Sequence, residues 1–412
     1  MTMTLDTLET RPPAQREAEQ FARLRSVVAH ARRHAPHFAR LLAHVDPEAV
    51  TDRTALGRLP VTRKSDLLEW QQAEPPFGGL AATPLASLAR VFSSPGPIYD
   101  PQAEGADPWR FGRALRAAGF RAGELVHNTF SYHFTPAGFM MDLAARSLGC
   151  PVFPAGTGQT ELQVQAVAGL RPACYAGTPS FLRILLEKAD EMRADVSCLK
   201  RAAVSGEAFL APVRQLLAER GIEGYQSYGT ADLGLVAYET SAREGLVVDE
   251  DVIVEIVRPG TGDPVPEGEV GEVVVSALSP DYPLVRFATG DLSALMAGPS
   301  PCGRTGPRMR GWMGRADQTT KVKGMFVHPS QVAEVLRRHP EAGRGRLVVS
   351  HDESGHDLMT LHVEASTRPD NLAESLAASL REVCKLRGAV ALAEPGSLAN
   401  DGRVIEDRRR FD

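Results

Sequence analysis

The sequence predicts an α/β fold with a large N-terminal domain and a small C-terminal domain. Its 412 residues exceed what one ordinary hydrophobic core organises, so more than one structural unit is expected. From Gly123 to Ser205, short apolar strands alternate with helices, which is typical of a largely parallel sheet. After Val247 the strands alternate as in antiparallel sheets, and after Gly314 the pattern changes again. We predict an α/β domain at 1–314, with mixed sheets and a β-subdomain, and an α+β domain at 315–412.

The individual elements follow from local periodicity. Apolar residues recur at helical spacing from Phe21 to Ala31, and Pro36 interrupts the pattern. Pro329 suits the first turn of a helix, where its missing N–H costs nothing. Residues 93–108 are rich in Ser, Pro and Gly and are predicted to form a loop. The predicted helices are 15–42, 139–148, 161–170, 181–192, 329–339 and 371–387, and the predicted strands are 123–128, 150–154, 173–177, 199–205, 252–257, 271–276, 284–287, 319–327, 346–351 and 359–364.

Charge and apolar content exclude several classes of protein. The 46 basic and 51 acidic residues give a formal net charge of -5, too mild to indicate a nucleic-acid or anionic-membrane partner. No apolar run reaches the roughly 18 to 20 residues of a membrane span, and the Thr-rich N-terminus lacks the apolar region of a signal peptide. The five cysteines are scattered, without C-x-x-C spacing. We predict a soluble cytoplasmic protein with no nucleic-acid or membrane partner.

A first candidate ligand-binding segment runs from Arg286 to Asp291 and closes in Thr-Gly-Asp. An ionised Asp only accepts hydrogen bonds, so a carboxylate held at a strand end could accept both hydroxyls of a ribose. A hairpin turn with an exposed Asp291 explains the same residues and is the simpler interpretation of this segment alone.

A second segment, from Gly314 to Gly324, lies where the sequence pattern changes. Arg315 could form a charge-assisted fork with a ribose or phosphate oxygen. Asp317 could act as a hinge, where few residues absorb a large dihedral change. An interdomain linker with surface charges is an equally good explanation.

A third segment, Tyr228-Gly-Thr-Ala-Asp232, follows a strand-like stretch. Thr230 could bond a phosphate oxygen, and Asp232 could hold Mg²⁺, a hard cation that takes carboxylate ligands and waters. Thr230 and Asp232 also suit the start of a helix, so a helix cap is the alternative. Both interpretations can hold, because a helix N-terminus attracts phosphate.

Two further loops, Gly177–Ser180 and Ser205–Glu207, follow predicted strands. An ordinary strand-to-helix turn explains each of them alone. Ligands of open α/β sheets bind at the carboxyl ends of the strands. Three such loops in succession therefore indicate a binding edge.

Taken in order, these segments resemble the adenylate-forming superfamily of acyl- and aryl-CoA synthetases, luciferases and nonribosomal adenylation domains, and most of all its phenylacetate-CoA ligase type. The resemblance covers nearly the whole chain. It implies that a carboxylate attacks the α-phosphate of ATP to give an acyl-adenylate, that a small mobile C-terminal domain rotates, and that a thiol, usually of CoA, displaces AMP. The stretches that carry it are Leu59-Pro60 with Lys64, His127-Asn-Thr-Phe-Ser-Tyr-His-Phe, Phe153-Pro-Ala-Gly-Thr-Gly, Gly177-Thr-Pro-Ser, 228–232, 286–291 and 314–324.

The resemblance implies a role for each stretch. Asp291 and Arg315 bind the ribose, Asp317 is the hinge, and Thr230 and Asp232 serve the phosphates and Mg²⁺. The other implied residues are Ser93, Ser94, Ser205, Gly206, Glu207, Tyr228 and Gly229 for the nucleotide, Lys323 and Gly324 for CoA, and Tyr132, His133, Phe134, Ala155 and Gly156 for the acid.

The chain departs from the family pattern in its charged groups. The phosphate loop, normally closing on Gly-Lys, is matched by residues 93–99, where two prolines remove two N–H donors and no lysine stands. The usual Thr/Ser-Glu pair reads Ala231-Asp232. The C-terminal catalytic lysine is matched by Arg403, whose planar fork is not equivalent to an ammonium. Some relatives hold zinc on Cys and His, but only Cys302 stands in that region, so no zinc is expected.

Three functions compete. The first is a CoA ligase for an aryl or arylacetic acid that uses ATP, Mg²⁺ and CoA, with Arg403, Thr230 and Asp232 as catalytic residues. The second is an adenylating enzyme with another acceptor, such as a carrier protein or an amine. The third is a nucleotide- or acyl-CoA-binding protein without the chemistry, which Arg403 and the altered loop favour. The intact ribose, hinge and CoA residues favour an enzyme, so we predict the first; a homodimer is compatible with the resemblance.

Overall fold

The computed structural model describes residues 4–94, 98–316, 318, 320–322, 325–351 and 357–409 of the chain. The chain divides into two compact units, and each unit is assembled from separate segments. Unit 1 comprises Met1–Val254, Val275–Phe287 and Met296–Trp312, and unit 2 comprises Glu255–Val274, Ala288–Leu295 and Met313–Asp412.

Several of the helices begin where the sequence offers a cap or a proline. The Thr178 hydroxyl accepts a hydrogen bond from the N–H of Phe181, and Pro179 occupies the first turn of the same helix. The helices are α1 (Pro13–His34), α2 (Pro36–Leu41), α3 (Arg53–Gly57), α4 (Leu67–Ala73), α5 (Gly112–Ala117), α6 (Ala137–Ser147), α7 (Thr160–Leu170), α8 (Pro179–Met192), α9 (Ala211–Glu219), α10 (Pro329–Arg337) and α11 (Leu372–Cys384).

The strands follow the β-branched and aromatic runs of the sequence. They are β1 (Thr62–Arg63), β2 (Arg90–Ser94), β3 (Ile98–Gln102), β4 (Val126–Asn128), β5 (Val152–Pro154), β6 (Cys174–Gly177), β7 (Arg201–Val204), β8 (Glu223–Thr230), β9 (Gly234–Glu239), β10 (Leu246–Val248), β11 (Val252–Val257), β12 (Gly271–Ala277), β13 (Phe287–Ser293), β14 (Leu295–Met296), β15 (Arg308–Met309), β16 (Thr320–Val322), β17 (Met325–Val327), β18 (Ala342–His351), β19 (Asp357–Ala365), β20 (Ala389–Ala393) and β21 (Ile405–Asp407).

A nine-stranded sheet of order β14-β15-β10-β9-β8-β7-β6-β4-β5 is the largest of the described sheets. From β5 to β8 all neighbouring strands are parallel, as the alternation of strands and helices predicts. β9, β10 and β15 extend the sheet in antiparallel fashion. The carboxyl ends of β4, β6, β7 and β8 therefore lie at one edge.

Alternate residues of the parallel strands pack into separate cores. Cys174 and Ala176 of β6 pack with residues of α5 and α6. Tyr175, between them in sequence, packs with residues of α7 and α8. Helices therefore cover both faces of the parallel strands, which excludes water from the backbone of the sheet.

Unit 2 has a core of its own. β18 and β19 pair antiparallel, and the parallel partners β21 and β20 extend them to a sheet of order β20-β19-β18-β21. Apolar residues of α10 and α11 pack on this sheet. β16 and β17 form a separate hairpin. The predicted mixed α/β fold with several mixed sheets is confirmed.

Two predicted elements are wrong. Residues 93–108, predicted as a loop, include most of the hairpin of β2 and β3, in which Ser93 pairs with Tyr99. The predicted strand 284–287 ends where β13 begins, because Arg286 takes a left-handed φ of 45° that interrupts extended backbone. β13 then continues through Asp291 to Ser293, so Asp291 lies within a strand rather than at its end.

None of the helices in the described ranges combines the length and the apolar character that crossing a membrane requires.

His127 of β4 is a fully buried titratable group in unit 1. Its Nε2 lies 2.8 Å from Oε1 of Gln163, and its ring stacks on Phe153. Burial lowers the pKa of His127, and the hydrogen bond to Gln163 opposes this only in part. The folded protein therefore holds this imidazole neutral.

We expect the free energy of unfolding to fall as the pH is lowered from about 7 to about 5. Below the ordinary imidazole pKa of about 6.5, His127 is protonated in the unfolded chain but stays neutral in the folded protein. The contribution of neutral His127 to the free energy of unfolding is thus fully present above a pH of about 6.5, and it is lost as the pH falls toward the lowered pKa of the folded protein. One group contributes a slope of at most about 1.4 kcal/mol per pH unit. Urea unfolding at several pH values should show that the free energy of unfolding of His127→Gln depends less steeply on pH than that of the parent. An equal dependence on pH in both proteins would contradict this account.

Candidate active site

The loop that follows β7 is hydrogen-bonded to its neighbours at the carboxyl edge of the parallel strands. The Ser205 N–H donates to the carbonyl of Gly177 at 3.2 Å, and its hydroxyl donates to the carbonyl of Ser227 at 2.9 Å. Oε1 of Glu207 accepts from the N–H of Ser180 at 2.6 Å, at the start of α8. The loop after β7 is therefore joined by hydrogen bonds to the end of β6, to the start of α8 and to β8.

The segment from Tyr228 to Asp232 comprises the end of β8 and part of the tight turn that leads into the antiparallel strand β9. β8 ends at Thr230, whose hydroxyl accepts from the N–H of Leu233 at 3.1 Å, and β9 begins at Gly234. No helix starts in this described segment, so the helix-cap alternative is wrong. A Cβ on Gly229 would lie 2.5 Å from the carbonyl oxygen of Gly234 and 2.9 Å from the Phe111 ring, so glycine is required.

Asp232 lies in a buried group of polar residues, Lys64, Asp100, Asp232 and Tyr282, that we name the carboxylate cluster. Lys64 Nζ lies 2.5 Å from Oδ2 of Asp232, whose side chain is 0% exposed. Asp100 of β3 is 1% exposed. Burial raises the pKa of Asp100 well above the ordinary range, and the charge of Asp232 raises it further. Burial also raises the pKa of Tyr282, which the charges of both carboxylates reinforce.

Arg286 positions one member of the carboxylate cluster. Its guanidinium donates to the carbonyls of Gly57 at 2.9 Å and Leu59 at 2.6 Å, and its own carbonyl accepts from the N–H of Thr62 at 3.0 Å. These bonds hold β1, and Lys64 follows β1 directly. Because Arg286 is only 2% exposed and donates to backbone carbonyls, its side chain has a structural role.

Four oxygens of the carboxylate cluster have no hydrogen-bond partner among the described residues. They are both carboxylate oxygens of Asp100, Oδ1 of Asp232 and the hydroxyl of Tyr282. Carboxylate oxygens are the protein ligands that Mg²⁺ prefers, so this donor set fits the Mg²⁺ expected at Asp232. No larger group of three or more His, Cys, Asp or Glu side chains with metal-site geometry occurs among the described residues.

A cavity of 160 Å³ lies at the end of β8 and at the loop after β7. Most of the lining residues in one group are those that the resemblance assigns to the nucleotide, and the other group is mostly apolar. None of the residues that line it is charged. Its lining residues are Ser94, Ser205, Gly206, Gly229, Thr230 and Ala231 in the first group, and Phe111, Phe130, Thr135, Pro136, Ala137, Met140 and Met141 in the second.

The residues predicted for the acid lie in neighbouring loops and do not line this cavity. The Tyr132 hydroxyl donates to Asp142 at 3.1 Å and accepts from Asn128 at 2.7 Å, which supports the loop before α6. His133 is exposed, and Phe134 is 81% exposed, with its carbonyl accepting from the N–H of Ser93. Ala155 and Gly156 follow β5 and are partly buried, and the Gly156 carbonyl accepts from Gln163 at 2.9 Å.

In unit 2, Asp291 and Arg315 meet. Nη1 of Arg315 lies 2.9 Å from Oδ1 of Asp291, and the two backbones form an antiparallel bridge. The Asp291 side chain is 13% exposed, whereas that of Arg315 is 56% exposed. A Cβ on Gly290 would lie 2.8 Å from the Arg315 guanidinium, so this glycine makes room for the pair.

Arg403 also belongs to unit 2. Its side chain is 61% exposed, its Nε lies 3.9 Å from Asp401, and it borders a cavity of 290 Å³ in that unit. The predicted hinge Asp317, the predicted CoA residues Lys323 and Gly324, and Pro95–Pro97 of the phosphate loop lie outside the described residues.

Two stretches of the chain match known protein families, and these matches define the class of protein. Residues 110–279 match the AMP-binding enzymes, and residues 324–409 match the AMP-binding enzyme C-terminal domain. The chain belongs to the AMP-binding enzymes, which form the adenylate-forming superfamily.

Its relatives within this family are phenylacetate-coenzyme A ligases. The chain is 34% identical over 376 residues to that of Thermus thermophilus, covering 87% of this chain and 83% of the relative. It is 30% identical over 350 residues to that of Escherichia coli, covering 81% and 78%. An open crystal structure of 2-hydroxyisobutyryl-CoA ligase with 2-HIB-AMP and CoA matches with a TM-score of 0.72 and 27% identity, covering 95% of this chain and 91% of that one. The prediction of an adenylate-forming acid–thiol ligase of the phenylacetate-CoA ligase type is confirmed.

We expect Lys64→Met to lower the free energy of unfolding by about 3 kcal/mol, because it leaves the buried Asp232 carboxylate unpaired. Adding Asp232→Asn should restore most of that loss, since the double variant has no unpaired charge at Asp232. Urea unfolding of the single and double variants measures the coupling. Lys188→Met, which breaks an exposed ion pair with Glu191, is the control and should cost less than about 1 kcal/mol. Equal losses in Lys64→Met and in the double variant would show that the pair is uncoupled.

Proposed function

We propose that this chain activates a carboxylic acid bearing one compact aromatic ring, such as phenylacetate, and transfers it to CoA. The carboxylate attacks the α-phosphate of ATP, pyrophosphate leaves, and the product is an acyl-adenylate. The thiolate of CoA then attacks the acyl carbon, and AMP leaves with the electrons of the acyl–oxygen bond. The observation that carries this proposal is the 160 Å³ cavity, which joins an apolar wall to the loops predicted for the nucleotide.

The volume and lining of the cavity support a single ring. A cavity of about 150 Å³ lined by apolar side chains binds benzene. Phe111, Phe130, Met140 and Met141 supply such a lining, and Met side chains adapt to an aromatic edge. Because no charged side chain lines this cavity, an ionised substituent on the ring would be buried without a partner. The carboxylate of the acid would point toward Thr230, where the phosphates of the nucleotide are assigned.

The nucleotide is assigned to the polar side of the cavity. Ser93, Ser94 and Thr230 would hold phosphate oxygens, and Asp232 would hold Mg²⁺. In unit 2, Asp291 would accept from the ribose hydroxyls and Arg315 would donate to them. The other assignments are adenine at Ser205, Gly206, Glu207, Tyr228 and Gly229, the acid-side loops at Tyr132, His133, Phe134, Ala155 and Gly156, the hinge at Asp317, and CoA at Lys323 and Gly324.

Catalysis in this proposal is positioning and charge neutralisation on an in-line displacement at phosphorus. Arg403 would neutralise charge between the acid and the α-phosphate when the C-terminal domain, proposed at 315–412, closes on the domain at 1–314. Lys64 brings a second cation to the phosphate side through its ion pair with Asp232. A cytoplasmic location and a homodimer remain part of the proposal.

We expect AMP to form from ATP only when the acid, Mg²⁺ and the protein are all present, with CoA consumed in equal amount. Arg315→Ala should raise the KM for ATP about tenfold or more, because it removes a charge-assisted hydrogen bond. Arg403→Ala should lower kcat about a hundredfold, since it removes charge neutralisation in the transition state, and Arg403→Lys should retain more activity. Liquid chromatography of nucleotides and mass spectrometry of the thioester measure both reactions.

The matched control is Arg337→Ala, an exposed arginine of unit 2 whose removal should leave both constants unchanged. AMP release without a CoA thioester would redirect the proposal to another acceptor, such as a carrier protein or an amine. No acid-dependent AMP release with any aromatic acid would overturn it.

We expect single-ring acids such as phenylacetate to be used with a kcat/KM about tenfold or more above that of naphthylacetate, which exceeds the cavity. Met141→Ala shortens a side chain of the apolar wall, which enlarges the cavity and should reduce this preference. Met192→Ala, in α8 and outside the cavity, should leave it unchanged. A preference unaffected by Met141→Ala would place the acid elsewhere.

A further inference from the structure

Much of the lining of the 160 Å³ cavity comes from one stretch of the chain. Six of its lining residues lie between Phe130 and Met141, in the β4–α6 loop (residues 129–136) and in the first turns of α6. They are Phe130, Thr135, Pro136, Ala137, Met140 and Met141. The shape of the cavity therefore depends on what holds the two ends of the β4–α6 loop.

Asn128, the last residue of β4, contacts both ends of this loop through its side chain. Its Oδ1 accepts from the N–H of Phe130 at 3.2 Å, and its Nδ2 donates to the carbonyl of Gly138 at 2.9 Å. The same Nδ2 donates to the Tyr132 hydroxyl at 2.7 Å, in the middle of the loop. We name these three hydrogen bonds the Asn128 clamp. One side chain thus joins the start and the middle of the loop to the beginning of α6.

The clamp requires an amide. An amide offers a carbonyl oxygen and two N–H protons on one short side chain. Here a backbone N–H and a backbone carbonyl need one acceptor and one donor. A carboxylate of the same size would direct an oxygen at the carbonyl oxygen of Gly138 and would have no proton for it. Asn128 is 0% exposed, so water cannot replace a bond that is lost.

The backbone closes the loop at the same point. The carbonyl of Ser131 accepts from the N–H of Gly138 at 2.9 Å. A Cβ on Gly138 would lie 2.5 Å from this carbonyl oxygen and 2.9 Å from the Tyr132 ring, so glycine permits the close approach. Ala137 and Met141, on either side of Gly138 in sequence, both line the cavity. A shift of Gly138 would therefore move the wall of the cavity.

The backbone of Asn128 also supports the loop after β5, the second loop that the resemblance assigns to the acid. Its carbonyl accepts from the N–H of Gly156 at 3.1 Å. Nε2 of Gln163 donates to the carbonyls of Gly156 at 2.9 Å and Gly158 at 2.7 Å. Because both amide protons of Gln163 are used, its oxygen accepts from Nε2 of His127, which therefore carries the imidazole proton. Both acid-side loops are thus hydrogen-bonded to residues at the end of β4.

We propose that Asn128 is a positioning residue that determines which aromatic ring the cavity accepts. Asn128 does not line the cavity itself. It acts through Phe130 and through the start of α6, which the clamp holds at a fixed separation. The role in selecting the acid rests on the proposed function, whereas the clamp itself does not.

The kinetic test compares Asn128→Ala with the parent in the full chain. The KM for phenylacetate should rise about tenfold, because the wall of the cavity loses three buried hydrogen bonds. The KM for ATP should change less than about twofold, a split that a general loss of stability would not produce. The preference for phenylacetate over naphthylacetate should fall, since a wall that is no longer held can yield to the larger ring.

Gln20→Leu is the matched control. Gln20 is 5% exposed, and its amide also donates to two backbone carbonyls, those of Glu250 at 3.0 Å and Val252 at 3.3 Å. None of these three residues lines the cavity. Gln20→Leu should lower the stability of the protein but leave the KM for phenylacetate and the preference between the two acids unchanged.

Hydrogen–deuterium exchange followed by mass spectrometry tests the clamp without catalysis. Residues 129–136 should exchange faster in Asn128→Ala than in the parent or in Gln20→Leu, because the loop opens more readily. Equal exchange in all three proteins would overturn the clamp. Faster exchange together with an unchanged KM for phenylacetate would overturn its role in selecting the acid.

Should Asn128→Ala fail to fold, Gly138→Ala decides the question, because its Cβ displaces the same end of the loop. A KM for phenylacetate and an acid preference equal to those of the parent in Gly138→Ala would overturn the proposal. A parent that releases no AMP with any aromatic acid would overturn the proposed function, and the exchange experiment would still show whether the clamp exists.

Discussion

The register of the parallel strands is the constraint on which the site depends. Val126 of β4 pairs with Cys174 of β6, Cys174 with Arg201 of β7, and Arg201 with Glu223 of β8. These pairings bring Gly177, Ser205 and Ser227 together at one edge, where Ser205 donates hydrogen bonds to the carbonyls of the other two residues. A slip of one residue in a strand would turn each of its side chains to the opposite face and into the wrong core.

An apolar wall and a group of buried charged residues both lie near that edge, and each suits a different substrate. Phe111, Phe130 and Met140 form an apolar wall, which suits a ring whose burial is favourable because it removes apolar surface from water. Beside it, Lys64, Asp100 and Asp232 concentrate charge that the fold does not fully satisfy. In a proposed enzyme that joins an apolar acid to a polyphosphate, this division places each substrate against matching chemistry.

Much of the fold and part of the site could be predicted from the sequence. Ser205, Thr230, Asp291 and Arg315 were predicted from short patterns, because each stands at the end of a predicted strand or at a change in the sequence pattern. Asp100 was missed, because two of the three inward residues of β3, Asp100 and Gln102, are polar and the strand therefore shows no apolar alternation. The Ser, Pro and Gly before it favoured a loop instead. Tyr282 gave no local signal, since its burial comes from distant segments.

The sequence by itself determined the family, the alternation of strands and helices, and the identity of the polar residues at the strand ends, because these depend on local periodicity and on short spacings. Only the tertiary structure decided that Asp100, Asp232 and Tyr282 share one buried place, and that the apolar wall consists of Phe111, Phe130, Met140 and Met141. The physical reason is that burial and electrostatic coupling depend on contacts between segments far apart in the chain. Such contacts depend on packing, and packing cannot be inferred from any single stretch of sequence.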